Sequence, residues 1–274
     1  MMVTIANIQY LRKMTGAGVL DCKNALNEAN GDYDIAVEII RKKGKMIARK
    51  RADRDAIEGC VLAARRSNFA AIVAVRCETD FVAKGEKFIG MVKKILDLAL
   101  EIRPKNIEEL NNFNINGCKI CELITDYSGV SGEKIELGFY EYLIAPTVEI
   151  YVHSGNKLAT IVGFNQNEVD VRVAKDIAMQ VAAMNPVSVD KNSIPLKIIE
   201  KERKIAREIA IEQGKSELVL NRIEDGALNK YYKDYTLLLQ NFVKNPKITV
   251  GDFLKNYNKD LSVVDFRRVC LNVE

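Results

Sequence analysis

The chain has 274 residues, 48% hydrophobic and 28% charged, and its 41 Lys+Arg against 37 Asp+Glu leave a net charge of +4. This balance excludes a disordered or fibrous chain, and the charge is too small to select nucleic acid by bulk attraction. No apolar run approaches the roughly 20 residues of a membrane span, and the start MMVTIANIQYLRKM has neither a basic head nor a continuous apolar stretch, so a cytosolic protein is expected.

Residues 4–43 read as three short helices, with apolar positions Ile5, Ile8 and Leu11, then Val19, Cys22, Leu26 and Ala29, then Ile35, Ile39 and Ile40. Thr15-Gly16-Ala17-Gly18 breaks the first pair, and Asn30-Gly31-Asp32 ends the second helix with a residue that tolerates the left-handed region. The basic run 41–54, with Arg41, Lys42, Lys43, Lys45, Arg49, Lys50, Arg51 and Arg54, reads as a linker or a solvated connecting helix. An RNA or ribosome contact is its functional alternative, although no aromatic residue interrupts it to stack bases.

From residue 58 the period changes to that of strands: 59–65 and 69–77 form a hairpin about Arg66-Ser67-Asn68. The second strand runs into Glu78-Thr79-Asp80-Phe81-Val82-Ala83-Lys84-Gly85, and Phe88, Ile89, Val92, Ile95, Leu96 and Ala99 then describe an amphipathic helix. A helical stretch over 106–127 precedes three strands, 134–143, 147–153 and 157–164, expected to make a second antiparallel sheet. A helix over 168–184, with Val171, Ala174, Ile177, Ala178, Val181 and Ala182 buried, stops at Asn185-Pro186.

Residues 196–212 and 216–231 fit an antiparallel helical hairpin zipped by Ile198, Ile199, Ile205, Ile209 and Ala210 against Leu218, Leu220, Ile223 and Leu228. It offers an interaction or dimer surface. A helix over 250–257 and a strand over 262–272, returning to the main sheet, complete the chain.

The chemistry on offer is narrow, with one histidine, His153, no tryptophan and no phosphate loop of the G-x-x-x-x-G-K-[ST] kind. His153 lies in an alternating run and reads as a strand or hairpin residue at the surface or an edge. Six cysteines are sparse enough to read as reduced thiols. Cys118 and Cys121 match C-x-x-C, but zinc needs two more ligands, and a redox pair would open a helix after a strand where 111–117 offers loop. Two partly buried thiols on one helix are expected instead. Thr79-Asp80-Phe81-Val82 sets an acid beside a large aromatic where strand hands over to helix, which suits either a helix cap plus a core phenylalanine or an aromatic wedge offered to a partner.

The segment Met14-Thr15-Gly16-Ala17-Gly18-Val19-Leu20-Asp21-Cys22-Lys23-Asn24-Ala25-Leu26 and the run Glu78 to Lys84 closely resemble the signatures of the bacterial elongation factor Ts family. Similar stretches are Gln180-Val181-Ala182-Ala183-Met184-Asn185-Pro186, Gln213-Gly214-Lys215 and Ile248-Thr249-Val250-Gly251-Asp252-Phe253-Leu254, in the family order along nearly the whole chain.

The resemblance implies an α+β fold with an N-terminal three-helix (UBA-like) module and linker over 1–55. A two-part core of antiparallel sheets with packed helices would cover 56–144 and 145–190, followed by a projecting helical hairpin over 191–232 and a short C-terminal module over 233–274 whose strand returns to the core. It implies a guanine-nucleotide exchange factor, not an enzyme and without a cofactor, that binds elongation factor Tu in its GDP-bound and nucleotide-free forms. Thr79, Asp80, Phe81 and Val82 would then dislodge the partner's magnesium, while Thr15, Gly16, Ala17, Gly18 and His153 resemble further partner contacts. Some members form a dimer of heterodimers and others do not, so a homodimer or higher stoichiometry does not transfer. An RNA-binding or ribosome-binding accessory protein using the 41–54 run is the rival reading. A thiol or zinc enzyme using Cys118 and Cys121 ranks last.

Overall fold

The computed structural model describes residues 3–115 and 117–271. Three helices open the chain: α1 (Ile5–Thr15), α2 (Val19–Glu28) and α3 (Tyr33–Lys50). Thr4 and Asn7 cap α1 reciprocally, Gly16 closes it at φ +73, and the Asp32 carboxylate accepts from the Asp34 and Ile35 amides at the head of α3. Leu11, Ala17, Cys22, Ala25, Leu26, Ala29 and Ala36 make a separate small core.

Two expectations change in this module. Ile5, at 75% exposure, with Val19 and Ile35, faces outward, because the small module core is already filled by Leu11, Leu26 and a set of small residues. The run from Arg41 to Lys50 is not a free linker but the second half of α3, one face of which packs on a later helix.

The first half of the core comprises β1 (Glu58–Arg66), β2 (Phe69–Cys77), α4 (Asp80–Ala83), α5 (Glu86–Ile102), α6 (Ile107–Asn112), the short pair β3 (Asn114–Ile115) and β4 (Cys118–Lys119), α7 (Ile120–Ser131) and β5 (Glu136–Ile144). The first sheet has the order β1-β2-β5, all antiparallel, with β1 and β2 joined by a two-residue turn at Ser67-Asn68 in which Ser67 has φ +56. β2 is apolar almost throughout because it is central and covered on both faces. Phe69, Ala71, Val73, Val75 and Cys77 meet the Phe88, Val92 and Ile95 face of α5, whereas Ala70, Ile72 and Ala74 meet the second sheet.

The second half follows with β6 (Thr147–Val152), β7 (Leu158–Phe164), α8 (Val171–Met184), the hairpin α9 (Leu196–Glu212) and α10 (Glu217–Tyr235), the short pair β8 (Asn241–Phe242) and β9 (Asn245–Thr249), α11 (Val250–Tyr257) and β10 (Val263–Cys270). The second sheet has the order β10-β7-β6. The expected three-strand sheet over 134–164 is therefore split: its first strand, β5, completes the first sheet, and the chain changes sheets at Ala145-Pro146. The sheets approach closely there, since a Cβ at Gly163 would lie 2.7 Å from the Ala145 Cβ and 2.8 Å from a Leu143 methyl. The tail strand does return to a sheet, beside β7; the expected last residue, Asn272, lies outside the described residues.

α8 covers the second sheet with Ala174, Ile177, Ala178, Val181 and Ala182, but Val171, at its exposed first turn, is not buried. The hairpin differs more. Ala210, Leu220 and Leu228 are buried in it, but Leu218 is 96% exposed, Ile205 and Ile209 are also exposed, and a carboxylate occupies the seam. Glu224 accepts from Arg207 Nη1 at 2.8 Å and pairs with Arg203 at 3.7 Å, so the two arms meet through an ionic centre as well as an apolar one.

The C-x-x-C expectation also fails in its geometry. Cys118 sits on β4 and Cys121 in the first turn of α7, so the pair does open a helix after a strand. The chemistry points away from redox: desolvation first, then a hydrogen bond to the Glu122 carboxylate at 3.4 Å, push the Cys118 thiol up. Among the described residues, no group of three or more His, Cys, Asp or Glu side chains is placed to hold a metal ion.

Candidate functional site

β2 ends at Cys77, whose Sγ donates to the Thr79 carbonyl at 3.2 Å, and the next two residues turn the chain into α4. Thr79 is extended, at φ −122 and ψ 154, and its Oγ1 accepts from the Val82 amide at 3.5 Å. The helix cap is therefore Thr79 rather than the acid beside it. In the four-residue helix that follows, Ala83 is buried and Val82 packs against the α5 core, which turns Phe81 outward to 85% exposure. The reading of a core phenylalanine is overturned, because one turn of helix has only one face to bury and the small residues occupy it.

Two glutamates hold this turn from behind. Gly132, at φ +72, ends α7 and sends the chain back so that the Glu133 carboxylate accepts from the Glu78 amide at 3.1 Å, the Thr79 amide at 3.0 Å and the Thr79 hydroxyl at 2.6 Å. Glu78 in turn accepts from Arg51 Nη1 at 2.8 and 3.0 Å and from the Lys134 amide at 2.6 Å. Burial pushes the Glu78 carboxyl up, but the Lys134 amide and the Arg51 guanidinium outweigh it, so the net shift is downward. The turn is thus fixed by charge-assisted bonds from the ends of α3 and α7, and a fixed turn presents its aromatic ring at little entropic cost.

Asp80 is solvent-facing and pairs with Lys84 at 2.7 Å. That hydrogen bond chiefly holds its carboxyl below the usual range, with Lys157 adding to the depression. Lys157 belongs to the β6–β7 turn, which also carries His153, so this turn lies at the same end of the core as Asp80. His153 is exposed, its amide donates to the Leu158 carbonyl at 2.8 Å, and its Nδ1 lies 2.9 Å from the Tyr151 hydroxyl. It is the surface hairpin residue that its alternating run suggests.

In the first module, Thr15 ends α1 with its hydroxyl donating to the Leu11 carbonyl at 2.8 Å, and Gly16 is the left-handed cap. Ala17 is buried in the module core, while Gly18 begins α2 at the surface. The apolar surface here consists of Val19 and Leu20, both exposed, which helical periodicity alone does not mark because two consecutive apolar residues cannot both face one core.

Sequence reasoning placed Arg51 only in the basic run 41–54, and it did not mark Glu133. Each is an ordinary charged residue in its own neighbourhood and acquires a role only through a partner on a distant segment.

The sequence that builds this turn has counterparts among known proteins. A sequence profile of the family described as Elongation factor TS matches residues 78–272. The chain is similar to "Elongation factor Ts" of Azobacteroides pseudotrichonymphae genomovar. CFP2, at 67% identity over 274 residues and 100% of each chain. It is also similar to the protein of that name from Porphyromonas gingivalis, at 52% over 275 residues and 100% of each, and from Flavobacterium psychrophilum, at 36% over 272 residues and 98% of each.

Proposed function

Since the chain belongs to the elongation factor Ts family, we propose that it is a guanine-nucleotide exchange factor for elongation factor Tu, promoting release of GDP and magnesium during translation elongation. The observation that carries the mechanism is the clamped turn with Phe81 at 85% exposure. A large aromatic held in water on a rigid support is an anchor in search of an apolar pocket. In this reading Asp80 and Phe81 enter the partner beside its magnesium and phosphate site, Thr79 and Val82 hold them in place, and the Thr15–Gly18 turn and His153 supply further contacts.

No covalent step is needed. If the factor binds the nucleotide-free GTPase more tightly than the GDP form by some ratio, GDP weakens the factor's binding by the same ratio, and exchange follows from that coupling. Burying one phenylalanine contributes about 1.5 to 3 kcal/mol, so the wedge alone supplies roughly tenfold to a hundredfold and distributed contacts supply the rest.

A factor of translation elongation works in the cytoplasm, which is the location this reading gives the protein; among the described residues no helix is long and apolar enough to cross a membrane. The rival RNA-binding role loses ground because part of the 41–54 run pairs with the protein's own carboxylates: Arg41 with Asp126 at 3.4 Å, Lys42 with Glu38, Lys43 with Asp21, and Arg51 with Glu78.

Stopped-flow release of fluorescent GDP from the cognate elongation factor Tu, with and without this protein, tests the proposal. Acceleration is expected; its absence with a folded protein would remove the assignment.

A further inference from the structure

α3 joins the two surfaces that the exchange reading assigns to the partner. Its first turns pack on α1 and α2, and its last residues lead to Arg51 on Glu78. Between these ends it crosses α7 backbone to backbone. A Cβ built on Gly129 would lie 2.3 Å from the Gly44 Cα, and one on Gly44 would lie 3.2 Å from the Gly129 Cα. No side chain separates the helices there. Both glycines stand against helix propensity, which favours alanine at an interior position, so close approach is the reason for them.

From that crossing both helices run to the same turn, α3 through Arg51 to Glu78 and α7 through Gly132 and Glu133 to Thr79. In the other direction Arg41 on α3 pairs with Asp126 on α7. Beside the crossing a cleft of about 560 Å³ is lined by Met14, Thr15 and Gly16 and by Leu123, Tyr127 and Val130, and the two sides meet where a Cβ on Gly16 would lie 3.7 Å from a Val130 methyl. Next to this cleft, the glycine crossing and its flanking ion pair hold the module's last helix directly against α7.

We propose that the Gly44–Gly129 crossing makes α3 a rigid strut that presets the separation and angle between the module's Thr15–Gly18 turn and the Asp80–Phe81 turn, so that both reach one partner together. The inference rests on the exchange-factor reading. Gly44 and Gly129 touch no partner in it; they are positioning residues. Two contacts held at the right spacing behave as one bivalent contact, and the gain disappears when geometry forbids simultaneous engagement.

The test uses the full-length protein as wild type, Gly44→Ala, Gly129→Ala and Ile177→Val, each with and without Phe81→Ala. The GDP release rate is recorded against factor concentration and normalised to the folded fraction from thermal unfolding. A misplacement of about 1 Å can cost about a hundredfold. Gly129→Ala is therefore expected to raise the half-saturating concentration by about tenfold to a hundredfold, and Gly44→Ala by less, in the order of the two Cβ distances. Phe81→Ala is expected to cost less in the Gly129→Ala background than in the wild type, because a wedge already out of register has less to lose. Ile177→Val, a trim in the α8 core, is expected to leave the concentration dependence unchanged.

Wild-type concentration dependence per folded molecule in both glycine variants would overturn the strut while leaving the exchange reading standing. Should Gly129→Ala not fold, Gly44→Ala decides alone by the same criterion. A folded wild type that does not accelerate release would overturn the exchange reading, and the strut with it.

Discussion

Arg51 and Glu78 stand 27 residues apart, yet one guanidinium nitrogen donates to both oxygens of the carboxylate, at 2.8 and 3.0 Å. The pair ties the end of the N-terminal module's last helix to the residue that opens the exposed turn, and it is largely shielded from water. The pair gives the module a direct contact with the turn that does not run through the sheet.

Phe81→Ala is expected to leave the folded state nearly as stable as the wild type, within about 0.5 kcal/mol, because the ring buries little in the free protein. GDP release should nevertheless slow by about tenfold to a hundredfold, the share that burial of one phenylalanine supplies. Phe81→Leu keeps an apolar wedge and should retain part of the acceleration. Comparing melting curves with stopped-flow traces separates the two effects.

Glu133→Ala removes the acceptor for two amides and a hydroxyl. A cost of about 1 to 3 kcal/mol is expected, since these donors are partly shielded from water. Hydrogen exchange should quicken at Glu78 and Thr79 while the amides of β2 stay protected. Uniform loss of protection across both would show that the clamp supports the sheet rather than the turn.

The Glu78 carboxyl is held below the usual glutamate value in the folded state. The unfolded chain therefore binds the proton more readily, and stability falls as the solution is acidified. The contribution is complete above the ordinary glutamate pKa of about 4.3 and is lost as pH falls through the lower folded value. Urea midpoints measured from pH 6 downward should drop in the wild type, and Glu78→Gln should lower the plateau while flattening the drop. Identical slopes in the two proteins would place the acid sensitivity on other carboxylates.

Burial pushes the Cys60 and Cys77 thiols up to about 12. At pH 8 neither should react with iodoacetamide until the protein unfolds. Cys118, Cys121 and Cys270 are half-buried and should label first, Cys118 the slowest of the three because its own pKa is raised. Mass spectrometry of timed samples gives the order, and rapid Cys118 labelling would contradict the environment described for it.

Much of this fold is legible locally. The turn at Ser67-Asn68, the apolar run of β2 and the threonine-capped helix Val250–Tyr257 each follow from periods and turn chemistry within a dozen residues. The candidate turn is legible too, since Thr79, Asp80, Phe81 and Val82 are contiguous.

Three things were decided only in the folded chain. Strand β5 joins the first sheet because β2 has an unpaired edge to satisfy, and a strand's own residues do not name its neighbour. Ile5, Val19 and Leu218 are apolar by nature but exposed by circumstance, because a periodic pattern marks a face and only the opposing element determines whether that face is covered. Phe81 stands in solvent rather than in the core, on a turn that Arg51 and Glu133 fix from α3 and α7 across 27 and 54 positions. Hydrogen bonds of that range are specified by geometry that a local pattern does not carry.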